Sequence, residues 1–268
     1  MSQFGLFDFS DRLAALSAFG DPLERLSQVV DFEIFRPSLE SDFNFSDGSQ
    51  GGRPPYDAVL IFKVLILQSL YNLSDDQTEY RIKDRLSFMR FLGLELCQSV
   101  PDAKTIWLYR ERLKKKGLMD RLFSLFGQML REKGYLAMSG QIVDASFYDG
   151  HVLLPLLDKN NTSSSVWGDT AYRNQTNEKL LVENGFRSQL HRKKPKKKPM
   201  PLRTQCANGK KSKIRAHVEH VFAVQKERMR LFIRTIGLER ARIKITLANL
   251  TYNLQRLSFW EKRAAPTG

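Results

Sequence analysis

Over most of the first 135 positions, apolar side chains recur at three- and four-residue steps, the spacing of one face of a helix. Residues 21–30 predict a short amphipathic helix, with Pro22 suited to its first turn. The stretch SDGSQGGRPP, Ser46 to Pro55, reads as a linker whose prolines can open a helix. AVLIFKVLILQSLYNL, from Ala58, is apolar all round except at Lys63 and Gln68, and predicts a buried helix. It falls short of the roughly 20 apolar residues a membrane span needs. Ser74 or Asp75 caps DDQTEYRIKDRLSFMRFLG, which ends at Gly93. Pro101 and Asp102 open AKTIWLYRERLKKKG, and LMDRLFSLFGQMLREKG follows with Leu118, Leu122, Leu125, Met129 and Leu130 on one face. The expectation is a loosely organised segment over 1–53 and an all-helical domain over 54–138.

Beyond Tyr135 the period changes. GQIVDAS (Gly140 to Ser146) is a short apolar run ending in Asp144, and SSVWGDTAYR (Ser164 to Arg173) is a second, carrying Asp169. FRSQLH (Phe186 to His191) reads as a third strand. Helices are expected near 149–158, over 176–184, over 210–229 and over 238–257. Ser212 is the candidate N-cap of the third of these. The fold class is therefore α/β with a large all-α N-terminal part, its α/β domain covering 139–262.

Chemistry enters through three acids. A carboxylate at the end of a buried strand needs a partner, because desolvating it alone is costly. In the helix over 210–229, Ile214, Val218, Val221 and Phe222 make an apolar face. Arg215, Glu219 and Lys226 make a stripe beside it, within about 60° at 100° per residue. A surface ladder worth a few tenths of a kcal/mol is the plainer reading of that stripe. Asp144 and Asp169 upstream outweigh it. Three such carboxylates brought together repel unless divalent cations are bound, and Mg²⁺ suits carboxylates, waters and phosphate oxygens. A pair of such ions serves in-line phosphoryl displacement.

Charge points the same way. The chain has 268 residues with 43 Lys and Arg against 29 acids, a net +14 that favours a polyanionic partner. From Arg187 to Arg215 there are twelve basic residues and no acid. Arg192, Lys193, Lys194, Lys196, Lys197, Lys198, Lys210 and Lys211 in that run, with Arg215 and Lys226, are the candidate DNA-phosphate contacts. In the helical domain, Thr105, Tyr109, Arg110, Arg112 and Lys114–Lys116 fit either a DNA reader or a basic, solvated helix end. Cys97 and Cys206 are isolated and suit neither a disulfide framework nor a metal site. With no signal-like N-terminus, a cytoplasmic protein without membrane contact is expected.

The chain resembles bacterial insertion-sequence DDE transposases, specifically the insertion-sequence-five group. GGRPPYDAVLIFKVLILQSLYNLSDDQTEYRIKDRLSFMRFLGL looks like that group's N-terminal helical region. VDAS looks like the first-Asp motif and WGDTAYR like the second. RAHVEHVFAVQK is similar to the Glu motif, with Arg four residues before the Glu and Lys seven after. Ser212 stands where the group often has Tyr. The resemblance implies an RNase H-like core with Asp144, Asp169 and Glu219 as catalytic metal ligands. It also implies two Mg²⁺ ions (Mn²⁺ substituting), cleavage at terminal inverted repeats and strand transfer by the freed 3′-hydroxyl. Double-stranded repeat and target DNA would be the partners of a homo-oligomer bound to it.

One interval departs from the family. Only 24 residues separate Asp144 from Asp169. The implied strand 2–3 hairpin and a following helix need roughly 40. A helical crossover can join parallel neighbours directly. The interval thus predicts three parallel strands near 141–144, 164–168 and 186–191, with the hairpin missing, weak stability and little or no transposition. An active transposase, a shortened relic that binds DNA without cutting it, and a stand-alone nuclease are the competing functional readings.

Overall fold

The apolar run from Ala58 forms α4 (Ala58–Tyr71), buried on nearly every side from Ala58 to Leu70. Asp57 caps it by accepting the Leu60 N–H, and Asn72 ends it in the left-handed conformation at φ 48°. The computed structural model describes residues 8–43, 54–114, 117–135, 140–143, 153–158, 161, 163–233 and 235–264. Asp144, Lys115 and Lys116 lie outside the described residues, as does most of the helix expected near 149–158. The chain forms two compact units, 1–135 with 225–268, and 136–224. The sequence groups 139–262 as one domain, whereas by packing the last helix lies with the helical unit.

In the helical unit, α1 (Asp8–Ala18), α2 (Pro22–Val29), α3 (Arg36–Phe43), α5 (Asp75–Asp84), α6 (Leu86–Leu92), α7 (Ala103–Arg112), α8 (Leu118–Glu132) and α11 (Leu238–Ala264) accompany α4. The N-terminal segment is far better organised than expected. Phe32, Phe35, Leu39 and Phe43 are buried in the core. Their three- and four-residue spacing is a helical face that Pro37 obscures, although proline is tolerated in a helix's first turn. The stretch 75–92 is two helices, because Arg85 is extended at φ −117°, ψ 116°. Ser74 caps the first with a reciprocal capping box. The final helix buries a stripe of Ile243, Leu247, Leu250 and Leu254.

The basic residues of α7 are engaged inside the unit. Arg110 pairs with Asp75 and donates to the buried Gln68 Oε1 at 3.0 Å, while Gln68 donates to Asp75 at 2.7 Å. Arg112 donates to the Phe43 carbonyl at 2.7 Å and lies over the Tyr109 ring. Glu111 pairs with Lys114 and binds Arg240 through both oxygens at 3.0 Å. Arg240 and Lys114 hold the Glu111 carboxyl below its ordinary pKa against opposing burial. Arg110 and Arg112 thus have structural partners within the helical unit. No single described helix is long and apolar enough to cross a membrane; α4 and α5 pass such a test only as a pair bent by 102°.

The second unit is built on a parallel sheet ordered β1 (Gln141–Ile142), β2 (Ser165–Gly168), β3 (Arg187–Leu190). Gln141 faces Val166 and Gly168 faces Leu190 across the two pairings. Between β1 and β2 the described residues hold only a 3₁₀ turn, Leu154–Leu156, in place of the expected helix. Val143, Leu153, Leu157, Val166, Tyr172, Leu181 and Leu190 form a small separate core. α9 (Gln175–Glu183) crosses between β2 and β3, capped by Asn174. α10 (Leu202–Ala223) follows the basic loop. It starts well before position 210, so Ser212 is interior rather than the N-cap. No residue of α10 is buried.

Candidate nucleic-acid cleavage site

The carboxyl edge of a parallel sheet is where its strands release their next side chains together. β2 ends at Gly168, and Asp169 is the first residue past it. The Asp169 Oδ1 accepts the Ala171 N–H at 2.8 Å, a local turn that orients the carboxylate. Buried Asn177 donates to the Tyr172 carbonyl at 2.8 Å and pins the far side of that turn. β3 ends at Leu190, and the His191 N–H donates to the Gly168 carbonyl at 3.1 Å. Asp169 and His191 therefore leave neighbouring strands side by side.

α10 is tied to this edge by polar groups. The Asn208 amide pairs reciprocally with the Arg192 backbone, at 3.1 and 3.0 Å. Lys211 donates to the Leu190 carbonyl at 3.0 Å, and so does Arg173. Ser212 Oγ lies 3.5 Å from His191 Nε2. Arg173 also reaches Glu178 at 3.3 Å, which accepts from Ser188 at 2.9 Å. Burial lowers the His191 pKa below its ordinary value; Arg215 and Lys211 push the same way, and Asp169 opposes them. Burial likewise lowers that of Lys211, helped by Arg173 and Arg192 and opposed by Glu178. Two carboxylates, Asp169 and Glu178, and the cations Arg173, Lys211 and Arg215 thus lie around this edge, an arrangement that can receive a phosphodiester.

The predicted site residues fall into distinct places. Asp169 and Arg215 are partly exposed, Arg215 facing His191. Glu219 is fully on the exposed side of α10, not at a border between core and solvent. The expected apolar face fails for the same reason: Ile214 is 37% and Phe222 43% exposed. Lys226 is exposed in a π-helical turn, Val224–Arg228, so the steady 100° step assumed from Arg215 onward does not hold. Arg192, Lys193, Lys194, Lys196, Lys197 and Lys198 are exposed on the loop before α10. Lys210 is exposed on α10, while Lys211 turns inward to Leu190. Among the described residues no three His, Cys, Asp or Glu side chains are gathered as a metal ion needs. The donors Asp169 and Glu219 are hard oxygens that suit Mg²⁺, and the third carboxylate would have to be Asp144.

Two transposase families match the chain. Residues 11–112 match a family described as Transposase domain (DUF772). Residues 129–254 match the Transposase DDE domain. The chain belongs to the insertion-sequence DDE transposases. Members of this transposase family generally use divalent metal ions and bind DNA at inverted repeats. No solved structure matches the chain. Sequence reasoning missed His191, Arg173 and Asn208. His191 had a visible signal, since it closes the third strand segment as Asp144 and Asp169 end the first two.

Proposed function

We propose that this transposase cuts DNA at the terminal inverted repeats of an insertion sequence of the insertion-sequence-five group and joins the freed 3′-hydroxyl to target DNA. The observation that carries this reading is the placement of Asp169 at the carboxyl edge of β2 beside His191, whose surroundings include Lys211 and Arg215. Asp144, Asp169 and Glu219 would hold Mg²⁺, with Mn²⁺ as a substitute. A bound pair of such ions supplies the charge that activates the attacking oxygen and stabilises the leaving one. The protein's own cations do the positioning. Arg215 binds the backbone beside the reacting phosphate, Lys226 binds it further along, and the 192–198 loop follows the duplex as a series of point charges. Lys211 and Asn208 keep α10 on the sheet edge, so that Arg215 is presented there.

The test is nicking of repeat-end duplexes by purified protein in Mg²⁺. Cleavage should be abolished by Asp169→Ala while duplex affinity is retained. The unpacked face of α10 favours a second reading, a DNA-binding relic with a shortened core. Tight, salt-dependent duplex binding with no metal-dependent cleavage by the unaltered chain would select the relic. Cleavage indifferent to Asp169→Ala would reject both.

A further inference from the structure

The last turns of α11 carry a surface that the DDE reading does not use. Phe259 and Trp260 are each 44% exposed, their rings 5.7 Å apart at 77°. Arg256 lies 5.1 and 5.3 Å from the two ring centres, and Arg263 lies 5.7 and 5.8 Å from them. The four side chains are spaced three, four and seven residues apart, so they form one ladder along the helix. Burying the aromatic faces is not what orders this ladder, because nearly half of each ring stays in water. Its charge is one-sided. Within 256–263 the single acid is Glu261. Lys133 pairs with it at 3.5 Å, and Tyr135 hydrogen-bonds to it. Among the described residues, Arg256, Lys262 and Arg263 make no ion pair. Two half-exposed rings, the guanidinium groups of Arg256 and Arg263 over them, and Lys262 are thus left at the surface.

We infer that this ladder binds unpaired DNA bases, with Phe259 and Trp260 as stacking surfaces and Arg256, Lys262 and Arg263 as contacts for the adjoining phosphates. The occupant follows from charge and shape together. An uncompensated positive surface selects a polyanion. Aromatic and guanidinium planes are useful to a nucleic acid only when its bases are unstacked, because a closed duplex offers no base face. A duplex would use the cations and ignore the rings. The inference takes DNA rather than RNA as its ligand from the transposase reading, but requires neither metal nor cleavage.

The experiment is anisotropy titration of the full chain, in chelator, with oligothymidylate and with a blunt duplex of equal length. The Phe259→Ala/Trp260→Ala variant should weaken oligothymidylate binding by about tenfold or more and leave the duplex nearly unchanged. Phe259→Leu/Trp260→Leu, which keeps apolar bulk without a π face, should lose as much at an unaltered melting temperature. Trp260→Phe should keep most of the affinity. Arg256→Gln/Arg263→Gln should reduce the salt dependence on both ligands. Equal losses on both DNAs from the leucine variant, or unchanged oligothymidylate affinity, would overturn the inference. Loss of self-association by the leucine variant with both affinities intact would give the surface to a second copy instead. Absence of DNA cleavage in the unaltered protein would bear on the catalytic reading and leave this one standing.

Discussion

Gly168→Ala isolates how tightly the sheet edge holds Asp169. Gly168 is the last residue of β2 and faces Leu190 across the β2–β3 pair. A methyl group there would lie 2.7 Å from Leu190 Cδ2, 3.0 Å from Val143 Cγ2 and 3.4 Å from Tyr172 Cδ2. All three neighbours are buried, and they come from both adjacent strands and from the following turn, so none can move without moving another. The backbone at 168 is outside the left-handed region, so the cost is packing alone. Overpacking of this kind costs about 1–3 kcal/mol. With a urea m-value on the order of 1 kcal/mol/M for a unit of this size, the midpoint should fall by about 1 M or more. The assay is urea unfolding read from Trp167, in β2, with Trp107→Phe and Trp260→Phe removing the other tryptophans. Gly127→Ala, in the helical unit, is the control: α8 leaves nothing within 4 Å of the new methyl, and the midpoint read from Trp167 should not fall. If Gly168→Ala left the midpoint where it was, the sheet edge would be looser than argued, and Asp169 with it.

Neutralising Lys193, Lys194, Lys196, Lys197 and Lys198 should flatten the salt dependence of duplex binding, by up to about 0.9 log units per lost contact; an unchanged slope would make the loop mere solvated charge. Arg110→Ala should cost about 1.5–3 kcal/mol of stability, since it strips partners from Asp75 and Gln68, yet leave duplex affinity alone; lost affinity at full stability would restore α7 as a DNA reader. His191 has a folded-state pKa below its ordinary 6.5, so the unfolded chain binds the proton more readily and stability should drop as pH falls through that value. His191→Asn should blunt the drop seen in urea midpoints between neutral and mildly acidic buffer, and an identical pH profile in the variant would refute this.

The helices with chemical punctuation were legible in the sequence. Asp21, Ser74 and Asp102 act as caps and Gly93 as a left-handed stop. The parallel three-stranded sheet was legible too, because two of its strands lie in apolar runs that end in an acid and the third is a short segment between Phe186 and His191. Other features were invisible for physical reasons. Arg85 breaks a continuous periodic pattern without glycine or proline, its extended backbone set by tertiary packing. The early start of α10 was hidden by a basic, apolar-poor stretch, 202–213, that carries no hydrophobic period. The same hydrophobic template suggests that Ile214, Val218, Val221 and Phe222 are covered, whereas Ile214 and Phe222 are exposed and the two valines only half-buried; periodicity shows that a face exists, not that something lies against it. Among site residues, Asp169 was found because strand ends are conspicuous. Asn208 and Arg173 act by holding backbone carbonyls and amides, and such roles leave no trace in residue type.

The fastening of α10 has a consequence for amide exchange. Arg215 has a partner as well; of the ties to the strands, those of Asn208, Lys211 and Ser212 lie in the first half of the helix. At 1.5 Å per residue, Glu219 stands roughly 10 Å beyond the last of them. An unburied helical stretch is protected only by its own ladder of hydrogen bonds, which short segments maintain poorly. Deuterium should therefore enter the amides of 214–223 on the timescale of helix fraying, while those of β2 and β3 wait for the unit to open. The second half of α10 behaves as an arm on a fixed shoulder, and the clock of its amides measures how firmly anything laid along it holds Glu219 in place.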